Sequence, residues 1–174
     1  MAVATGRDEA ATRAALASWL GSATGSASVE VGPLTIPGLS GFSNETILFD
    51  ATWEVEGAPA TTSLVLRVEP RGHTVFPSTE FDAQVRVMRA LHAEGSVPVP
   101  DVRWFEEDLD VLGDRFLVMP RVAGQVPADN PSYHADGWMA ELAPAEQARL
   151  WMAGIDTMAK IHRLDRAGIG LGWI

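Results

Sequence analysis

Ile47-Leu48-Phe49-Asp50-Ala51-Thr52-Trp53-Glu54-Val55, then Glu56-Gly57-Ala58-Pro59-Ala60, then Thr61-Thr62-Ser63-Leu64-Val65-Leu66-Arg67-Val68, is the stretch on which the fold turns. Ile47, Phe49, Ala51 and Trp53 fall on one side of a period-two alternation, the signature of a strand with one face buried. The Gly/Pro-containing segment at 56–60 reads as a turn by composition. Two strands with so little between them form an antiparallel hairpin. One cation, Arg67, stands inside the otherwise apolar end of the second strand.

Outward from the hairpin, residues 8–21 read as an amphipathic helix with Leu16, Trp19 and Leu20 on one face, ended by Gly21 and Gly25. Val29, Val31 and Leu34 mark a short first strand that Pro37 stops. After a polar loop, residues 79–94 return to helical spacing with Phe81, Val85, Met88 and Leu91 on one stripe, and Gly95 stands where a C-terminal cap belongs. Val97-Pro98-Val99-Pro100 is an extended connector, because a residue before proline is pushed out of the helical region. Residues 102–105 and 115–119 are two further strands joined by an acidic turn, and 122–136 is loop. Pro144 suits a helix's first turn, and Leu150, Trp151, Ile155, Met158 and Ile161 give that helix a long apolar face to about His162. Five mostly antiparallel strands with one inserted helix make an α+β lobe.

Composition narrows the function classes. The chain of 174 residues is 47% hydrophobic and 21% charged, which describes a globular protein. It has no cysteine, which excludes disulfides and thiolate metal sites and suits a reducing cytoplasm. A formal net charge of −10 argues against a nucleic-acid partner, which needs a basic face. The N-terminus carries no secretory signal, and the apolar runs fall short of the ~20 residues of a membrane span. A cytoplasmic protein without membrane contact is the expectation.

Several motifs invite chemistry. Gly38-Leu39-Ser40-Gly41-Phe42-Ser43-Asn44-Glu45-Thr46 precedes the first hairpin strand. Successive N–H groups of such a turn can form an anion nest, although by residue type alone it is also an ordinary polar turn. It is not a Walker loop, since no Gly-Lys-Ser/Thr ends it. His73, His92 and His134 have no ligand spacing, and Ser40 and Ser43 have no readable Ser–His–Asp context. His162-Arg163-Leu164-Asp165 mimics a kinase catalytic loop, but the position five beyond its Asp, where a metal-binding Asn is needed, is Gly170.

Gly41-Phe42-Ser43-Asn44-Glu45-Thr46, Val65-Leu66-Arg67, Val87-Met88-Arg89-Ala90-Leu91, Val97-Pro98-Val99-Pro100 and Val111-Leu112-Gly113-Asp114-Arg115-Phe116, in this order and spacing, resemble the aminoglycoside phosphotransferase and choline-kinase-like family. That family shares the protein-kinase fold. The resemblance also takes in Gly137-Trp138 and His162–Asp165, which look like the first large-lobe helix, and covers about residues 30–165. It resembles most the bacterial small-molecule phosphotransferases related to a domain fused to some acyl-CoA dehydrogenases.

The resemblance implies an N-terminal helix at 1–27, a nucleotide-binding small lobe at 28–120, a hinge at 121–125 and the start of a large helical lobe at 126–174. It implies ATP as cofactor. Ser40, Gly41, Phe42, Ser43, Asn44 and Thr46 would lie over the phosphates, and Arg67 would grip the α- and β-phosphates in place of the usual lysine. Gln84 stands where the acid that orients this cation is expected, with Glu80 one helical turn away as the alternative; a neutral Gln can hydrogen-bond Arg67 but does not neutralise it. Met119, Pro120 and Val122 would line the adenine, with the Pro120 carbonyl as acceptor and the Val122 N–H as donor. The catalytic Asp/Asn loop and the Mg2+ ligands are expected outside these residues, so the chain by itself is expected to bind nucleotide without transferring phosphate. The acceptor is an unidentified small molecule. A non-catalytic module that binds nucleotide or self-associates through exposed apolar faces, a pseudokinase-like fragment, is the alternative.

Overall fold

The computed structural model describes residues 7–37, 45–69, 80–127 and 131–174. It consists of α1 (Glu9–Thr24), β1 (Val29–Val31), β2 (Glu45–Val55), β3 (Ala58–Val68), α2 (Phe81–Glu94), β4 (Trp104–Glu106), α3 (Leu109–Leu112), β5 (Phe116–Pro120) and α4 (Pro144–Arg163). The five strands form one antiparallel sheet in the order β1-β2-β3-β5-β4. The α+β lobe expected from the sequence is therefore the observed architecture.

Two compact units divide the chain. The first comprises residues 1–85 and 100–121, the second residues 86–99 and 122–174. In the first, α1 covers one face of the sheet. Asp8 caps it by accepting from the Ala11 N–H at 2.8 Å, and Gly25 closes it at φ +71°. Leu16 and Leu20, one turn apart, are fully buried against Ile47, Phe49, Ala51 and Trp53 of β2 and Leu64, Leu66 and Val68 of β3. Trp19 meets Phe116 edge-on at 4.8 Å and donates its indole N–H to Glu106 at 2.7 Å. Burial of this kind stabilises by roughly 25 cal/mol per Å² of apolar surface removed from water, which is why the alternation in β2 was decisive.

Three local expectations are corrected. The hairpin turn is only Glu56-Gly57, both at positive φ (53° and 82°), so Ala58, Pro59 and Ala60 already belong to β3. This is the two-residue turn whose twist matches that of its flanking strands. The acidic turn before β5 contains a helical turn, α3, because Asp108 caps it and Gly113 at φ 83° ends it. The penultimate strand starts at Trp104, leaving Val102 buried but outside the sheet.

In the second unit, Gly95 ends α2 at φ 84° with its N–H on the Leu91 carbonyl at 3.1 Å. His92 Nδ1 lies 2.9 Å from the Val99 carbonyl, and the Arg86 guanidinium stacks 4.1 Å from the Trp173 ring. Helix α4 begins with Pro144 in its first turn and contains no buried residue.

Candidate functional site

Residues directly opposite each other in an antiparallel pair point to the same face of the sheet. Arg67 pairs with Thr46 on β2 and with Leu117 on β5, and Val65 pairs with Leu48 and Met119. Phe105 of β4 pairs with Leu117. Thr46, Leu48, Val65, Arg67, Leu117, Met119 and Phe105 thus share the face opposite α1. Of the sequence-expected site residues, this register brings together Thr46, Arg67 and Met119. Pro120 pairs with Leu64 and so lies on the α1 side, although its backbone carbonyl remains an acceptor.

Helix α2 reaches that second face through Phe81, which is buried and packs on Phe105 at 5.9 Å. Arg115 fixes the approach. Its Nε and Nη2 donate to the two carboxylate oxygens of Glu69 at 2.7 and 2.8 Å, and its Nη1 donates to both oxygens of Asp82 at 2.9 and 2.8 Å. The guanidinium thereby spans from the end of β3 to the first turn of α2. Its pKa is raised above the ordinary arginine value, chiefly by the hydrogen bonds to Glu69 and then by those to Asp82. Sequence reasoning gave Arg115 no role, since nothing in its neighbours signals partners 46 and 33 residues away.

Arg67 behaves differently. Burial lowers its pKa below the ordinary arginine value. The balance at Arg67 is that of a cation partly withdrawn from water. Gln84 is half-buried on the second turn of α2, and its N–H donates to the Glu80 carbonyl at 3.0 Å. Glu80 is exposed and holds a positive φ of 40°, placing it outside the helix. Val122 belongs to the second unit and is 70% exposed. Ser40, Gly41, Phe42, Ser43 and Asn44 lie outside the described residues.

Asp165 lies just past the end of α4. One of its carboxylate oxygens accepts from the Ala167 N–H at 3.2 Å, so the side chain caps the turn that follows. A cavity of about 340 Å³ lies within the second unit, lined by Tyr133, His134, Met139, Pro144, Gln147, Ala148 and Trp151. It contains none of the sequence-expected site residues. Among the described residues no group of three or more His, Asp or Glu side chains could hold a metal ion, and no helix is long and apolar enough to cross a membrane.

Known proteins place this architecture. A crystal structure of a Ralstonia eutropha JMP134 protein assigned to the aminoglycoside phosphotransferases superposes with a TM-score of 0.58 and 26% identity, over 91% of this chain and 40% of that one. Acyl-CoA dehydrogenase family member 11 of Gallus gallus is 33% identical over 107 residues, 62% of this chain and 13% of that protein. The Homo sapiens protein of the same name is 30% identical over 116 residues, 63% of this chain and 14% of its own length. The chain therefore spans about a seventh of these curated relatives, and 40% of the solved one. With the phosphotransferase enzyme family model matching residues 37–174, and a kinase-like phosphotransferase sharing its sheet and helices, this chain belongs to the phosphotransferase enzyme family.

Proposed function

We propose that this chain is the nucleotide-side part of a phosphotransferase that moves the γ-phosphoryl group of ATP to a hydroxyl of a small molecule. The observation that carries the reading is the register at β2, β3 and β5. It sets Thr46 beside a half-buried Arg67 and puts Met119 two residues along on the same face. Arg67 and Thr46 then serve the α- and β-phosphates with residues 40–44, and Met119, the Pro120 carbonyl and the Val122 N–H serve the adenine within a hinge at 121–125. Gln84, or Glu80, orients Arg67. A half-buried guanidinium suits such a role, because phosphoryl transfer relies on positioning and charge neutralisation, and partial withdrawal from water strengthens the second.

Among the described residues no group of three or more His, Asp or Glu side chains offers a Mg2+ site. His162 and Asp165 are not given a catalytic role, since Asp165 caps its own turn. The chain by itself binds ATP and transfers nothing. Titration calorimetry with ATP, with and without Mg2+, checks the first half; phosphate release with a panel of hydroxylated acceptors checks the second. Absent binding, or turnover by the chain alone, defeats the proposal.

A second reading, a non-catalytic self-associating module, is favoured by α4, on which Trp151, Met152, Ile155 and Met158 are 55, 52, 42 and 56% exposed. An uncovered apolar face of this kind marks a contact surface.

A further inference from the structure

The family match begins at residue 37, so α1 and the residue that leads into it lie outside it. Yet Arg7, immediately before the α1 cap, makes three long-range contacts. Its Nε donates to Glu45 Oε2 at 2.8 Å, its Nη1 to the Leu112 carbonyl at 2.7 Å and its Nη2 to Asp114 Oδ2 at 2.6 Å. Asp114 is only 8% exposed, and α1 behind Arg7 is anchored by fully buried Leu16 and Leu20. One guanidinium thus ties a fixed helix to the turn before β5 and to the first residue of β2. Glu45 is also the residue that follows the 40–44 segment and precedes Thr46, the partner of Arg67. The second oxygen of Glu45, Oε1, is buried and meets no donor among the described residues. Arg7 is then the group that holds this half-buried carboxylate through its other oxygen, and without Arg7 the group loses its counter-charge while Oε1 stays out of water.

We propose that Arg7 is a positioning residue. It clamps the root of β2 through Glu45, and so sets where Thr46 stands relative to Arg67. This rests on the nucleotide reading above, but its mechanical half does not. The full chain is compared with Arg7→Met, Arg7→Lys, Glu45→Gln and the Arg7→Met/Glu45→Gln double variant, well below each melting midpoint. Hydrogen exchange is followed at the amides of residues 46–48 and of α1, and ATP affinity is read by calorimetry.

The clamp predicts about tenfold faster exchange at 46–48 in Arg7→Met with α1 unchanged, and a smaller rise in Arg7→Lys, which keeps the charge but not the fork. It predicts ATP binding weakened about tenfold in Arg7→Met and in Glu45→Gln, with no further loss in the double variant, because both act through one contact. A merely stabilising ion pair would instead speed exchange in α1 and at 46–48 alike, and that result overturns the proposal. Unchanged exchange at 46–48 in folded Arg7→Met, or additive losses of affinity, also overturns it. If the wild-type chain binds no ATP, the nucleotide reading fails, and the exchange experiment alone decides whether the clamp exists.

Discussion

At the scale of single residues, the two arginines of the sheet's second face are held in opposite ways. Arg115 gains from its neighbours: four charge-assisted hydrogen bonds to Glu69 and Asp82 raise its pKa, and it stays partly in water. Arg67 bears a cost: burial lowers its pKa, so burial outweighs whatever its guanidinium bonds to. Even so lowered, an arginine remains charged at any working pH. Arg67→Met is expected to weaken ATP binding at least about tenfold, the loss of one charge-assisted contact. A lowered midpoint with unchanged affinity would mean that Arg67 serves the fold and not a ligand.

At the scale of elements, the hairpin shows where local chemistry and the observed backbone disagree. Glu56 occupies a left-handed conformation at φ 53°, which glycine and asparagine tolerate and glutamate does not favour. Gly57 sits at φ 82° with open space around it, so a side chain there meets strain but no clash. Gly57→Ala is expected to cost about 1–2 kcal/mol and Glu56→Asn to gain about 0.5 kcal/mol, both read as shifts in the thermal midpoint. The same hairpin was the most legible part of the sequence, because alternation at Ile47, Phe49, Ala51 and Trp53 reports burial directly. The turn was read too wide because Pro59 is a breaker by composition, whereas a strand accepts proline near its first residue. Helix α3 was missed although Asp108 and Gly113 signal it, since four residues give no period to read. On the sheet's second face, Arg67 was legible as a lone cation in an apolar strand. The clamps at Arg7 and Arg115 were not, because local sequence carries no trace of partners brought in by topology.

At the scale of the whole molecule, periodicity and burial part company in α4. The stripe of Leu150, Trp151, Ile155, Met158 and Ile161 was readable from spacing, but spacing only says that a face is apolar, not that this chain covers it. Every one of those side chains is at least 37% exposed. Two opposing forces then act between copies. Apolar surface at about 25 cal/mol per Å² favours contact, while a net charge of −10 repels at long range. Salt shortens the reach of the repulsion from about 30 Å at 0.01 M to about 8 Å at 0.15 M and leaves the apolar attraction intact. Self-association measured by sedimentation velocity is thus expected to strengthen as sodium chloride rises over that range, the reverse of an interface built on ion pairs. Ile155→Gln with Met158→Gln removes apolar surface without altering the charge and lies outside the lining of the cavity beside Trp151. This double variant is expected to remain monomeric at concentrations where the parent associates, with its thermal midpoint unchanged because these side chains are exposed in the single chain. Association that weakens with salt, or persists in the double variant, would place the contact surface elsewhere than on α4.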